Sequence, residues 1–340
     1  MGFARLVAAS VVYPTLVAVL ILTGLVAYAT IFTGRDSAPH HWNANKHVHT
    51  DGLTFTSVET NGVRLNVIEA GDRASSSKKL AVLLHGFPET ALLSWHEQIP
   101  VLVAEGYFVV APDQRGYNQS AKPESVEAYY IDHLADDVKG LLDHYGCTKA
   151  VRHPEAVEKL VVMNVPHGRA FKEHLSSSLS QLMKSWYVFY FQLPYLPELK
   201  LAHNNYSFLQ GIPAGSGIVG KTFPLDSLPR YMQAWSEPGA LTGMLNWYRA
   251  TLRYAKRANG VDPTIRVPTQ IIWGKKAPRL LRGSDGCAVD IALDSEMVEK
   301  SLAFCAPGMC KATYFDDATH WVQHDEPEKV AHLLTSFLCS

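Results

Sequence analysis

The chain has no surplus of charge of either sign. Its 31 Lys and Arg against 32 Asp and Glu leave a formal net charge of −1 with His neutral, so the basic footprint of a nucleic-acid binder is missing. Cysteine is scarce: Cys147, Cys287, Cys305, Cys310 and Cys339 are the full set. None belongs to a C-x-x-C pair or has a His at ligand spacing, which excludes a cysteine-based metal site and a disulfide scaffold. The odd count leaves at least one thiol unpaired. Charged residues make up only 19% of the chain against 47% hydrophobic, too apolar a balance for a disordered polypeptide and enough for one large core or two smaller ones. No internal repeat is visible. Gly2 opens no myristoylation signal, because position 6 is Leu6 where that motif takes Ser or Thr.

What is present begins with a long apolar run. Val11 to Phe32 carries no charge and is long enough to cross a hydrocarbon core of about 30 Å as a helix. It reads as a single-pass membrane anchor, with the endoplasmic reticulum as the expected membrane. The alternative is a cleaved signal peptide of a secreted protein, since Arg5 precedes the run and Ala27-Tyr28-Ala29 has the form of a cleavage site. Residues 33–51 form a polar linker holding His40, His41, His47 and His49. Their spacing is irregular and no Cys ligand sits beside them, so no metal is expected. Beyond the linker, alternating segments at Phe55 to Val58 and Val63 to Val67 flank Asn61-Gly62, a strong hairpin signal. Short buried-strand runs follow at Leu80 to Leu84, Phe108 to Ala111 and Leu160 to Met163, separated by helix-like stretches at Ser94 to Gly106 and Tyr129 to Tyr145. This alternation predicts an α/β fold with a largely parallel sheet, whose chemistry should lie at the carboxyl ends of the strands.

Three loops occupy such positions. His85-Gly86-Phe87-Pro88-Glu89 follows the first run, Asp113-Gln114-Arg115-Gly116 through Ser120 follows the second, and Asp316-Asp317-Ala318-Thr319 leads from the strand-like Ala312 to Phe315 into His320-Trp321. In this order they resemble the α/β-hydrolase fold and, within it, the epoxide hydrolase family. The resemblance runs from about residue 52 to the end, and the apolar run in front is similar to the membrane-bound animal branch. It implies a hydrolase core over 52–166 and 263–340 with a helical lid over 167–262. Tyr187-Val188-Phe189-Tyr190-Phe191-Gln192 and Leu245-Asn246-Trp247-Tyr248-Arg249 resemble the two segments that carry the lid tyrosines.

That resemblance assigns roles. His320 is the expected general base, Tyr187 and Tyr248 the acid pair that protonates the opening epoxide oxygen, and His85, Gly86, Phe87 and Pro88 the oxyanion loop, with the Phe87 N–H as one donor. Two departures stand beside the matches. Asp143 to Lys149, at a helix end, runs at once into Ala150 to Glu155, so the central strand, the G-x-D-x-G nucleophile turn and most of the following helix are missing. The nucleophile is therefore none. After the strand Thr269 to Trp273, Trp273-Gly274-Lys275-Lys276 is interrupted by Ala277 to Val289; deleting that stretch restores the family's W-G-x-x-D with Asp290 as the acid that orients His320. The interruption contains Gly283-Ser284-Asp285-Gly286-Cys287, but Asp285 follows no buried strand and opens no helix, and it is not taken as a substitute nucleophile.

The expected activity is conversion of lipophilic epoxides to diols, impaired by the lost nucleophile, with no metal or organic cofactor and with a small lipophilic molecule and the membrane as partners. A non-catalytic lipid- or partner-binding protein and a dehalogenase-like hydrolase are the alternatives. The strands ending near His85 and Val165 are expected to pair directly across the missing element. Asn118-Gln119-Ser120 and Asn205-Tyr206-Ser207 are glycosylation acceptors by pattern.

Overall fold

A computed structural model describes residues 46–74, 79–147, 157–178, 181, 185–216, 222–255, 257, 262–276 and 295–340. Strands β1 (Leu53–Thr60) and β2 (Val63–Ala70) pair antiparallel, with Leu53 opposite Ala70 and Thr60 opposite Val63. Asn61 and Gly62 between them have φ of 46° and 72°, the left-handed pair that a two-residue hairpin of this twist requires. Strand β3 (Leu80–Val82) runs parallel to β4 (Phe108–Pro112), and β4 runs antiparallel to β2, giving the order β1-β2-β4-β3. A second, all-parallel sheet contains β5 (Leu160–Met163), β6 (Thr269–Gly274) and β7 (Cys310–Phe315) in that order.

Helices fill the connections. In the first half they are α1 (Ala91–Trp95), α2 (Gln98–Ala104) and α3 (Ile131–His144). Between β5 and β6 come α4 (Gly168–Ser177), α5 (Trp186–Tyr190), α6 (Leu196–Ser216), α7 (Ser227–Ser236) and α8 (Ala240–Arg253). The chain closes with α9 (Glu296–Leu302), α10 (Val322–Asp325) and α11 (Pro327–Leu338). The stretch from Ser94 to Gly106, a single helix by its pattern, is divided at His96-Glu97. Pro100 accounts for the break, because its ring would collide with the carbonyl of His96 four residues back.

The expected pairing of β3 with β5 does not occur among the described residues: each is the edge of its own sheet. Every residue of β3 and β5 is only half-buried, whereas all six of β6 are buried. Leu84 and Val165, just beyond the two edges, are 40% and 56% exposed. Parallel strands normally lie covered on both faces, and among the described residues these two edge strands are less buried than the central β6. Helix packing holds the halves and opposes closure. The Tyr107 hydroxyl donates to the Leu338 carbonyl at 3.2 Å, and the Gln98 amide donates to the Gln323 carbonyl at 3.0 Å. Leu338 packs both on the core of Ile68, Ile99, Leu102 and Val109 and on that of Ile272, Val322, Val330 and Leu334. Sliding the sheets together would break these contacts, and a buried apolar side chain is worth about 1.5–3 kcal/mol.

The helices between β5 and β6 share an aromatic core of Phe191, Phe208, Phe223, Tyr231 and Trp235, capped by Trp321. A disulfide joins Cys305 to Cys310, while Cys147 and Cys339 are free thiols. The bond is a single short clip in front of β7, where the sequence suggested no cystine. Val11 to Phe32 lies outside the described residues, and among those described no helix is long and apolar enough to cross a membrane.

Candidate active site

His320 is held at the carboxyl end of the second sheet by the ends of all three of its strands. Asn164, which follows β5 and adopts φ of 48°, donates from its amide to the His320 carbonyl at 2.7 Å and accepts from the Gly274 N–H at 2.8 Å. Just beyond β6, the Lys276 N–H donates to the Ala318 carbonyl at 2.8 Å. Gly274 is needed for this approach: a Cβ there would lie 2.0 Å from the Thr319 carbonyl oxygen. Thr319 is fixed in turn, its N–H and hydroxyl both donating to Asp325 Oδ2, at 2.7 and 2.5 Å. The His320 ring itself makes no hydrogen bond within the described residues; its nearest aromatic neighbour is Trp321, edge-on at 5.1 Å. Desolvation pushes its pKa below the ordinary imidazole value, against the upward pull of the Glu89 and Asp325 carboxylates. The ring is thus neutral and competent as a base at pH 7.

The loop at His85 to Glu89 leads from β3 into α1. His85 Nε2 accepts from the Gln114 N–H at 3.1 Å, which leaves its proton on Nδ1, 3.0 Å from the Gly86 carbonyl. Burial lowers its pKa and keeps it neutral. The ring therefore acts as a brace between the β3 and β4 loops. Among the described residues the Phe87 N–H donates to no backbone acceptor, which suits it to an oxyanion. Asp113 is committed elsewhere: Oδ1 accepts from the Ala91 N–H at 2.8 Å, and Oδ2 accepts from the Asn66 and Asn118 amides at 2.7 and 2.8 Å. It is a structural carboxylate with its lone pairs taken. The same bond commits the Asn118 amide nitrogen, which argues against a glycan there; Asn205 lies exposed at the kink of α6.

Sequence reasoning gave Glu89 no role of its own, yet it anchors the most buried polar network of the site. At 2% exposure, its Oε1 accepts from the Tyr231 hydroxyl at 2.9 Å and meets His324 Nε2 at 2.8 Å, and its Oε2 accepts from the Ser94 hydroxyl at 2.6 Å. Burial alone would raise its pKa, but His324 and the hydroxyl donors hold it below the usual carboxylate range. An acidic residue directly after a buried loop was the available signal, since such a group must find partners.

Tyr187 on α5 and Tyr248 on α8 come together, ring centroids 5.8 Å apart and edge to face. Tyr248 lies 5.4 Å from Phe87 of the oxyanion loop, and both tyrosines pack on Phe191, at 5.1 Å for Tyr248 and 5.7 Å for Tyr187. Burial pushes the Tyr187 phenol up to about 12 and the Tyr248 phenol well above its ordinary value. Both are protonated donors at neutral pH. Trp247 beside them donates to the Arg115 carbonyl at 2.9 Å, and Arg115 pairs with buried Asp137 through Nε at 2.7 Å, so α8 is tied to the β4 loop.

Asp290 and Asp285 both lie outside the described residues. Among those described, the buried carboxylates Glu89, Asp113, Asp137 and Asp325 are each hydrogen-bonded as above; residues 148–156, where the elbow would fall, lie outside the described residues.

The α/β hydrolase fold family model matches residues 80–152. The chain is 37% identical over 305 residues to the AB hydrolase superfamily protein YfhM of Bacillus subtilis, a match that takes in 85% of this chain and 99% of that protein. It is 31% identical to epoxide hydrolase 4 of Homo sapiens over 84% of this chain and 78% of that protein. Among solved structures it superposes on the Bacillus megaterium epoxide hydrolase in complex with an inhibitor with a TM-score of 0.68 and 26% identity, over 84% of this chain and 100% of the other. The match of 305 residues exceeds 85% of 340, so part of the Bacillus subtilis relative faces a gap in this chain.

Proposed function

The chain belongs to the epoxide hydrolase family of α/β hydrolases, and from that premise we propose that it binds lipophilic epoxides but does not open them at the rate of an intact relative. The meeting of Tyr187 with Tyr248, whose ring also packs on Phe87, is the observation that supports the binding half. Two protonated phenols offer hydrogen bonds to an epoxide oxygen, and the apolar surround of Phe191 and Trp321 suits a hydrocarbon substituent. A leaving halide needs no proton, so the tyrosine pair favours an epoxide over a dehalogenase substrate.

The open edges at β3 and β5 support the second half. In the two-step route a carboxylate attacks the epoxide carbon, the carbon–oxygen bond breaks as a tyrosine delivers its proton, and a water deprotonated by His320 then hydrolyses the ester. Without the turn between β3 and β5 there is no carboxylate to form that ester, and the second oxyanion donor is lost with it. One such donor alone is worth about 10²–10³ in rate. Asp290 remains the proposed partner of His320, and Val11 to Phe32 the proposed anchor that brings the site to lipid. A non-catalytic binding protein has the same observations in its favour, and turnover separates the two.

Binding is tested by quenching of intrinsic fluorescence with a fatty-acid epoxide. Saturable quenching, weakened up to about tenfold by Tyr187→Phe or Tyr248→Phe as expected for one lost hydrogen bond of about 1 kcal/mol, supports the reading. Quenching equal in wild type and the Tyr187→Phe/Tyr248→Phe double variant refutes it.

A further inference from the structure

We propose that His49, His96 and Glu97 form a site for one divalent transition-metal ion of the zinc class, clipping the segment before β1 to the junction of α1 and α2. The ligand atoms of these three side chains lie within 4.8 Å of one another, and His49 Nε2 is 4.0 Å from Glu97 Oε2. Ligands at about 2.0–2.1 Å from a tetrahedral ion stand roughly 3.4 Å apart. The closure needed is small, and the exposed His49 side chain is free to supply it by rotation.

Each ligand is prepared differently. His96 is 2% exposed, its ring makes no hydrogen bond, and its buried Nδ1 has no partner; an unsatisfied ring nitrogen in such a place is costly. Glu97 divides its oxygens: Lys46 Nζ approaches Oε1 at 3.6 Å, leaving Oε2 toward His49. Lys46 is itself held by donating to the His324 carbonyl at 3.0 Å, and on Oε1 it would orient the carboxylate from outside the ion's coordination sphere. Two imidazoles and one carboxylate form an N/O donor set that suits zinc or its neighbours rather than calcium or magnesium. His49 belongs to the His-rich linker, whose own acidic residues are Asp36 and Asp51. The further acidic ligand, Glu97, lies with His96 at the junction between α1 and α2.

The test uses the full chain in mild detergent, with Zn²⁺ titrated by calorimetry and Co²⁺ by visible absorption. One ion per chain is expected, with affinity reduced at least about tenfold by His49→Ala and by Glu97→Gln and unchanged by His40→Ala/His41→Ala or by Cys147→Ser/Cys339→Ser. His49 is exposed, so its variant folds and keeps the test decisive if His96→Gln does not. No saturable binding, binding that survives both His49→Ala and Glu97→Gln, or binding lost in the linker-His or Cys variants would each overturn the proposal.

Discussion

Replacing Glu89 with alanine should cost about 3–5 kcal/mol of folding stability, the loss expected when one member of a buried charged network is removed. The reasoning is local. Glu89 is the shared acceptor for Ser94, Tyr231 and His324, with contacts of 2.6, 2.9 and 2.8 Å, in a place where no water replaces it. Each buried donor left alone costs about 1–3 kcal/mol, and partial repacking keeps the total below their sum. Glu89→Gln keeps the shape and one acceptor, and should lose less. The pH dependence has a defined sign. Because the folded protein holds the Glu89 pKa below its ordinary value, the carboxylate's stabilisation is fully present above about pH 4.3 and is lost as pH falls through the depressed folded value. Urea unfolding followed by tryptophan fluorescence is a suitable assay, since Trp235 stacks on Tyr231 at 5.4 Å and reports on this network. A loss under about 1 kcal/mol for the alanine variant, or equal acid sensitivity in wild type and Glu89→Gln, would refute the assignment.

Two further outcomes are expected. Gly274→Ala sets a Cβ 2.0 Å from the Thr319 oxygen, an overpacking that should cost about 1–3 kcal/mol and displace His320; thermal unfolding and a nuclear magnetic resonance pH titration of the His320 ring check it. The charge-free run from Val11 to Phe32 should keep the chain in the membrane fraction through alkaline carbonate extraction, whereas a mature N-terminus near Thr30 would identify a cleaved signal peptide.

Elements governed by local rules were legible from sequence. Asn61-Gly62 named its hairpin because few other residues accept φ of 46° and 72°, and Leu160 to Met163 coincides with β5. The helix break at His96-Glu97 was also encoded, in Pro100, but the apolar periodicity across it masked the signal. Contacts between distant residues were not legible. Glu89 and His324 stand 235 positions apart, and nothing in either neighbourhood names the other until the fold brings α1 and α10 together. The failure of β3 and β5 to pair has the same origin: their strand patterns say what each edge could do, but not that Leu338, at the far end of the chain, packs against both cores. At the site, the nearness of Tyr187 to Tyr248 was suggested by the resemblance of their flanking residues. Asn164, which joins three strand ends through one amide, was readable only as an unremarked Asn after an apolar run.

Diol formation by the unmodified chain, measured against a variant with a strand and a G-x-D-x-G turn inserted between Ala150 and Val151, tests the missing nucleophile most directly. The account predicts no turnover of a lipophilic epoxide above the uncatalysed background for the chain as it stands, with turnover and a trapped ester on the new Asp in the restored variant. Robust diol formation by the unmodified chain, abolished by His320→Ala, would contradict it and show that another residue serves as the nucleophile.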